Sequence, residues 1–363
     1  MTDINQQEIA PDGKPFQRIK LVNQNGMTVE FSDWGATWLC CKVPVLKLEE
    51  NQQELREVLL GCATLKQHSE QGAYLGATVG RFANRIANAR FSLNGKDYVL
   101  DANQLNANGQ ATHQLHGGSS GFDKRRWQIL QQTQNSVQFG LESADRDQGF
   151  PGAVSAKVRY SLRADNALVI EFEAVADQDT PLNLTNHAYF SLDGESAHQN
   201  VLRHHLKIAA DYYLPVNSEG IPKEPLKSVD GSGFDFRHGK TLVKDFLSDP
   251  DQKLVAGYDH SFLLNKTELN YPSLNSEPQV ELSSSSQDLT LKIFTDQPAI
   301  QIYSGNFLGG TPNRSGSIYA DHAGVALETQ CLPDTPNHLE WFQHGGISKA
   351  GEVYRKTTVF LFE

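Results

Sequence analysis

Val154-Ser155-Ala156-Lys157-Val158-Arg159-Tyr160-Ser161-Leu162 decides the fold class. Apolar residues stand at every second position, with polar or charged ones between them, which is the period of a strand with one buried face. Leu168, Ile170, Phe172 and Ala174 repeat the pattern against Glu171 and Glu173, so the two runs predict an antiparallel pair. Val137, Phe139 and Leu141 alternate in the same way, as do Leu289, Leu291 and Ile293, and Val359 and Leu361 near the end. Asn94-Gly95 sits between two such runs and predicts a tight hairpin.

Helical signals are short. Residues 54–60 suit either one helical turn or a strand, and residues 243–247 predict a short helical piece. The polar stretch 264–278 predicts a surface excursion rather than a hinge, and no segment reads as an interdomain linker. The expectation is therefore an all-β chain, a large antiparallel β-sandwich, forming one domain over 1–363. Residues 1–25 form an N-terminal extension or first strand in this reading.

Composition narrows the function. The 363 residues carry 43 acidic and 32 basic side chains, a net charge of −11, which disfavours nucleic acid and anionic membrane as partners. Four cysteines, two of them adjacent (Cys40 and Cys41), are too sparse for a disulfide framework and lack the spacing of a zinc site. The polar N-terminus has no apolar signal region, and no apolar run approaches the ~20 residues of a membrane helix. These features together predict a cytoplasmic protein.

The Gly-rich Gly76-Ala77-Thr78-Val79-Gly80 lacks the Lys-Ser/Thr ending of a phosphate loop, and no GxGxxG opens a helix. No HExxH or HxH pair occurs, and His204-His205 point apart on a strand, so no metal is expected.

Chemistry-bearing residues cluster in five places. Asn183-Leu184-Thr185-Asn186-His187-Ala188-Tyr189-Phe190, read as a strand, puts Asn183, Thr185, His187 and Tyr189 on one polar face. That face meets water or lines a polar cavity. Val325-Ala326-Leu327-Glu328 runs an apolar strand into a carboxylate just before Pro333, a seat suited to a base held at fixed geometry. Gly80-Arg81-Phe82-Ala83-Asn84-Arg85 supplies two guanidinium forks, for hydroxyls or for structural ion pairs. Leu115-His116-Gly117-Gly118 places an imidazole in a flexed loop, and Gly257-Tyr258-Asp259-His260 reads on its own as a polar turn. Gln301 lies in a strand before Glu328 and adds an amide. Amides, guanidinium, imidazole and aromatics without a phosphate cradle suit a sugar, which needs polar contacts to hydroxyls and an apolar wall.

These blocks, in this order, resemble the aldose 1-epimerase (galactose mutarotase) family. The matching features are Ala83-Asn84-Arg85-Ile86, Leu115-His116-Gly117-Gly118, Gly149-Phe150-Pro151-Gly152, Leu184-Thr185-Asn186-His187-Ala188-Tyr189-Phe190, Tyr258-Asp259-His260, Gln301-Ile302-Tyr303-Ser304-Gly305-Asn306-Phe307 and Leu327-Glu328-Thr329-Gln330. The resemblance implies a sandwich with its cleft on a concave sheet and cofactor-free interconversion of the α and β anomers of free hexoses, by a monomer or homodimer. It implies Glu328 as general base and His187 as general acid, with His116, Arg85, Asp259 and Gln301 on the sugar and Asn84 and Tyr189 close by. Two departures are Ala188, where serine is also common, and a long polar stretch at 268–287.

Free Glu titrates near 4.3 and free His near 6.5, so the reading expects a carboxylate ready at neutral pH and an imidazole lifted by a neighbouring carboxylate. Competing readings are a glycoside hydrolase pairing Glu328 with Asp259 or Asp334, a non-catalytic sugar-binding sandwich, and a hexose-6-phosphate epimerase of the same fold.

Overall fold

The computed structural model describes residues 8–47, 52–106, 108–195, 200–223, 225–265 and 277–363. Among these, α-helix is confined to Leu65–Glu70 and Pro250–Leu254, and strands carry the architecture. The fold is all-β, as the alternation predicts.

Val154–Leu162 is a nine-residue strand whose burial alternates without a break: Val154, Ala156, Val158, Tyr160 and Leu162 point inward. It pairs antiparallel with Ala167–Ala176, setting Val158 opposite Phe172 and Tyr160 opposite Ile170. Each such side chain taken from water contributes roughly 1.5–3 kcal/mol. The outward positions match too. Lys157 faces Glu173 across the ladder at 3.1 Å, and Arg355 on the next strand reaches the same carboxylate at 2.8 Å.

The pair lies inside a nine-stranded sheet running Gln128–Gln132, Ser136–Ser143, Val154–Leu162, Ala167–Ala176, Val353–Phe362, Thr290–Thr295, Val280–Ser283, His205–Ile208 and Lys240–Thr241. A six-stranded sheet runs Tyr189–Phe190, Val325–Gln330, Ala299–Tyr303, Asp259–Leu263, Tyr212–Leu214 and Lys227–Ser228. A four-stranded sheet from Arg18–Val22 to Gln52–Glu57 packs against them. One core joins all three, taking Phe31 and Trp38 from the small sheet, Tyr160 and Phe360 from the nine-stranded, and Phe262 and Leu327 from the six-stranded.

At Asn94-Gly95 both residues have positive φ, +52° and +74°, the geometry of the primed turn that matches strand twist. The two ambiguous segments resolve differently. Residues 52–57 are a strand. Residues 243–247 are turns and not the expected helical piece, because Asp245 (φ +62°) and Leu247 (φ +56°) take left-handed backbone that no α-helix admits. Of the polar stretch 264–278, residues 266–276 lie outside the described residues. Within 268–287, Val280–Ser283 is an interior strand paired on both sides, so that part is not a loop.

Candidate active site

The segment 183–190 is not one continuous strand with one polar face. Thr185–Asn186 pairs with Thr78–Val79, and Tyr189–Phe190 pairs with Val325–Ala326. His187 and Ala188 fall between the two ladders. The main chain of His187 is nevertheless held on both sides: its N–H donates to Ala77 O at 2.9 Å, and Gly76 N–H donates to its carbonyl at 2.9 Å. Asn186, expected on the opposite face, donates from Nδ2 to Gly76 O at 2.8 Å and to the Tyr160 hydroxyl at 3.3 Å. That hydroxyl in turn donates to Ala36 O at 2.8 Å. The fold-deciding strand thus reaches the residue beside His187 through a buried phenol.

Because Tyr189–Phe190 lies against Val325–Ala326, the strand Val325–Gln330 runs past His187 and brings Glu328 to it. Nε2 of His187 is 3.5 Å from Oε1 of Glu328, and both side chains are buried. Gln301 is the register partner of Glu328, and Asp259 that of Tyr303, so period two puts all four on one face of the six-stranded sheet. Gln301 Nε2 donates to Asp259 Oδ1 at 2.7 Å. Asp259 therefore opens a strand and is not part of a polar turn.

Arg85 and His116 arrive from a second direction. Leu115 pairs with Arg85 in a short ladder. Asn84 and His116 both take positive φ, +63° and +53°, and are linked twice: His116 N–H to Asn84 O at 3.0 Å, and Asn84 N–H to His116 Nδ1 at 3.1 Å. Gly117 cannot be replaced here, since an added Cβ would meet Gly80 O at 2.0 Å. Arg85 is braced by Asn84 Oδ1, which accepts its backbone N–H, and by Gln104 Oε1, which accepts from Nε at 2.7 Å.

These groups enclose a cavity of about 380 Å³. Asn84, Arg85, His116, His187, Tyr189, Asp259 and Glu328 line it, and so do Tyr74, Tyr303 and Phe307. Gln301 is not among the residues that line it and lies behind Asp259, to which it donates. Tyr303 and Phe307 fall within a matched block yet carry no chemistry that marks them in sequence. Tyr74 falls in no matched block, and only the flanking Gly72 and Gly76 signal a special loop. Arg81 leaves the site altogether. Its buried guanidinium caps the carbonyls of Ser143, Ala144, Pro151 and Gly152. A larger cavity of about 580 Å³ lies elsewhere, against the four-stranded sheet, but its guanidinium groups are already engaged, Arg18 with Glu30, Arg56 with Asp288 and Arg314 with Glu57.

Burial reverses the expected ionisation. Desolvation pushes Glu328 well above the usual carboxylate range, with Asp259 adding to the rise and Arg85 opposing it. Desolvation also lowers His187, to about 4, so loss of solvent outweighs any lift from Glu328. His116 is also driven well below its usual range, by desolvation first, with His187 and Arg85 contributing. Asp259 is raised, by desolvation first, against the attraction of Arg85 and the Gln301 hydrogen bond.

One ligand atom each from His116, His187 and Glu328 come within 4.8 Å of one another, a metal-like grouping that chain order does not reveal. Hydrogen bonding argues against an ion there. Nδ1 of His116 accepts the Asn84 N–H, so the neutral ring carries its proton on Nε2 and has no second lone pair to donate.

Comparison with known proteins identifies the family. The model of the aldose 1-epimerase family matches residues 17–361. The aldose 1-epimerase of Haemophilus influenzae is 52% identical over 354 residues, covering 98% of both chains. The galactose mutarotase of Homo sapiens is 35% identical, covering 98% of this chain and 96% of its own. Among solved structures, galactose 1-epimerase from Lactobacillus acidophilus superposes with a TM-score of 0.80 at 27% identity, covering 99% and 97% of the two chains. An aldose epimerase homologue from C. elegans gives 0.83 at 28% identity, covering 96% and 99%. With a buried His–Glu pair in a polar cavity and a family match over nearly its whole length, the chain belongs to the aldose 1-epimerase family of isomerases.

Proposed function

We propose that Glu328 and His187 are the base and acid of aldose 1-epimerisation in this chain. The observation that carries the assignment is the buried 3.5 Å contact between His187 Nε2 and Glu328 Oε1 on the wall of the cavity. Glu328 removes the proton of the C1 hydroxyl while His187 delivers one to the ring oxygen, and the C1–ring oxygen bond breaks to leave an open-chain aldehyde. Rotation about C1–C2 presents the other carbonyl face. On closure the attacking hydroxyl returns its proton to His187, and Glu328 returns its proton to O1, so both groups end as they began.

The ionisation directions fit this cycle once the pair is counted as a unit. Burial favours the state with the proton on Glu328 and a neutral His187, which has the same proton count as the reactive arrangement with anionic Glu328 and cationic His187. The hydrogen bond into His116 Nδ1 supports His187 as the acid, because it holds His116 as a neutral Nε2–H donor suited to a sugar oxygen. Arg85, Asp259 and Asn84 are assigned to the other hydroxyls, and Gln301 acts by fixing Asp259.

The substrate in this reading is a free sugar. Arg85 is the one Lys or Arg on the cavity wall among the described residues, and it faces two acidic groups, a poor seat for a phosphate dianion. A hydrolase pairing with Asp334 is disfavoured, since that carboxylate accepts from Ala87 N–H at 2.9 Å and Asn337 at 2.7 Å away from the cavity.

Polarimetry on freshly dissolved α-galactose tests the assignment. Glu328→Gln and His187→Asn should each lower kcat by about 10²–10⁴-fold in a folded protein. Full mutarotation by Glu328→Gln, or near-normal kcat in His187→Asn alongside loss in His116→Asn, would overturn it.

A further inference from the structure

Tyr74 is one of the aromatic groups on the cavity wall that the proton transfers above leave unused, and its placement is specific. It enters the site from the loop that follows Leu65–Glu70, with φ +58°, a left-handed backbone that bulky residues seldom adopt. Ala77 N–H donates to Tyr74 O at 3.0 Å and closes a turn. The next bonds clamp that turn onto the proposed acid itself: Gly76 N–H to His187 O, His187 N–H to Ala77 O, and Asn186 Nδ2 to Gly76 O. The loop is also tied to the four-stranded sheet: Trp38 N–H donates to Gly76 O at 2.8 Å, and the approach is so close that any Cβ at Gly76 would meet Trp38 O at 2.0 Å.

The clamp sets the Tyr74 ring 5.7 Å from the His187 imidazole at an interplanar angle of 22°. Tyr189 lies 5.0 Å from the same imidazole at 30°. Two near-parallel phenol rings thus lie beside one imidazole, each inside the ~6 Å range at which a π face attracts a cation, while Tyr74 meets His116, 4.6 Å away, only at a tilted 57°. Around His187 the titratable and charged groups are Glu328 at 3.5 Å, His116 with centroids 5.1 Å away, and Arg85, Asp259, Tyr74 and Tyr189 on the cavity wall. His116 is held neutral, Arg85 repels a second cation, Asp259 is engaged by the Gln301 amide, and Glu328 must act as base. Aromatic faces remain as a means of favouring the charged ring that consumes neither proton nor base.

Resting on the assignment of His187 as the acid, we propose that Tyr74 is a positioning residue that, with Tyr189, holds the imidazole and raises the population of its imidazolium form in the dry cavity. Mutarotation starts from that form, so the rate follows its population. The Tyr74 hydroxyl has no part in the effect.

The experiment compares Tyr74→Phe with Tyr74→Leu and Tyr74→Met, which keep bulk without a π face, by polarimetry and by titration of [15N]histidine-labelled protein followed by NMR. Loss of the π face should lower kcat by about tenfold in the Leu and Met variants, with the His187 titration midpoint falling by about one unit. Tyr74→Phe should keep both at the unsubstituted values, which a hydroxyl contact to the sugar would not allow. Unchanged kcat and His187 titration in both aliphatic variants, or a Phe variant that falls as far as they do, would overturn the inference. His187→Asn, run in parallel, separates the two ideas. If it keeps kcat, the acid assignment fails and takes the inference with it. If it loses kcat while the aliphatic variants keep theirs, only the role of Tyr74 fails.

Discussion

The ionisation of one pair of residues governs how this site answers to pH. His187, displaced downward to about 4 by burial, gains a proton only in acid, while Glu328, displaced upward by the same burial, holds its proton well past the usual carboxylate range. Between these limits the pair keeps one proton. Below the lower limit a second proton blocks the base, and above the upper limit the last proton is gone and no acid is left. The pH profile of kcat/KM, which reads the free enzyme, should therefore be a broad bell spanning neutrality, its acid limb nearer 4 than 6.5. Both limbs belong to the pair. An acid limb rising near 6.5, as from a solvated imidazole, would contradict this. Glu328, His187, His116 and Arg85 were legible as candidates in the sequence, since each is a polar residue inside an apolar strand or a flexed loop within a matched block, whereas Asp259, which reads on its own as part of a polar turn, was marked only by its matched block. Their charge states were not legible, because desolvation comes from neighbours that only the fold assembles. Tyr74 stayed invisible for a related reason: an isolated tyrosine carries no chemical signature until a turn places it on an imidazole.

Strands made the site, and their legibility followed their length. Val154–Leu162 alternates over nine residues and could be read directly. Thr185–Asn186 and Tyr189–Phe190 make two-residue ladders, too short for any period, so the break at His187 could not be seen. The turns at 243–247 were hidden because, although Asp245 is a type that tolerates positive φ, nothing marks Leu247 for it. A test at this scale follows from the buried hydroxyl of Tyr160, which ties the long strand to Ala36 O, to Thr78 Oγ1 at 2.9 Å and to Asn186. Tyr160→Phe leaves those partners buried and partly unsatisfied, at a cost of about 1–3 kcal/mol. Urea unfolding should show a lower midpoint with an unchanged slope. Asn186 keeps its bond to Gly76 O, so kcat should change far less than in His187→Asn. An unchanged midpoint would mean the hydroxyl network carries no stability.

At the scale of the molecule the question is whether the three sheets unfold together. Sequence composition offered no linker, and the structure adds a reason to expect cooperativity. The Trp38 ring, from the four-stranded sheet, packs edge-on against Phe190 of the six-stranded sheet at 5.9 Å and Phe360 of the nine-stranded at 5.6 Å. The core that holds these rings runs from Ile19 to Phe362, so neither end of the chain can be released without exposing apolar surface from the middle. We propose that the chain forms one domain on this ground. Two probes with different reach test it. Far-UV circular dichroism reports all the sheets. Tryptophan fluorescence reports the shared core through Trp38 and Trp127, a satellite cluster with Phe16 and Leu65 through Trp34, and another on the six-stranded sheet through Trp341. The two signals should give one midpoint in urea, within error, because melting any sheet strips the common core from the others. Separate midpoints, with the fluorescence of Trp341 surviving loss of the far-UV signal, would divide the chain into independent units. The six-stranded sheet, which carries Asp259 and Glu328, would then have to hold the site without the strand that anchors Asn186.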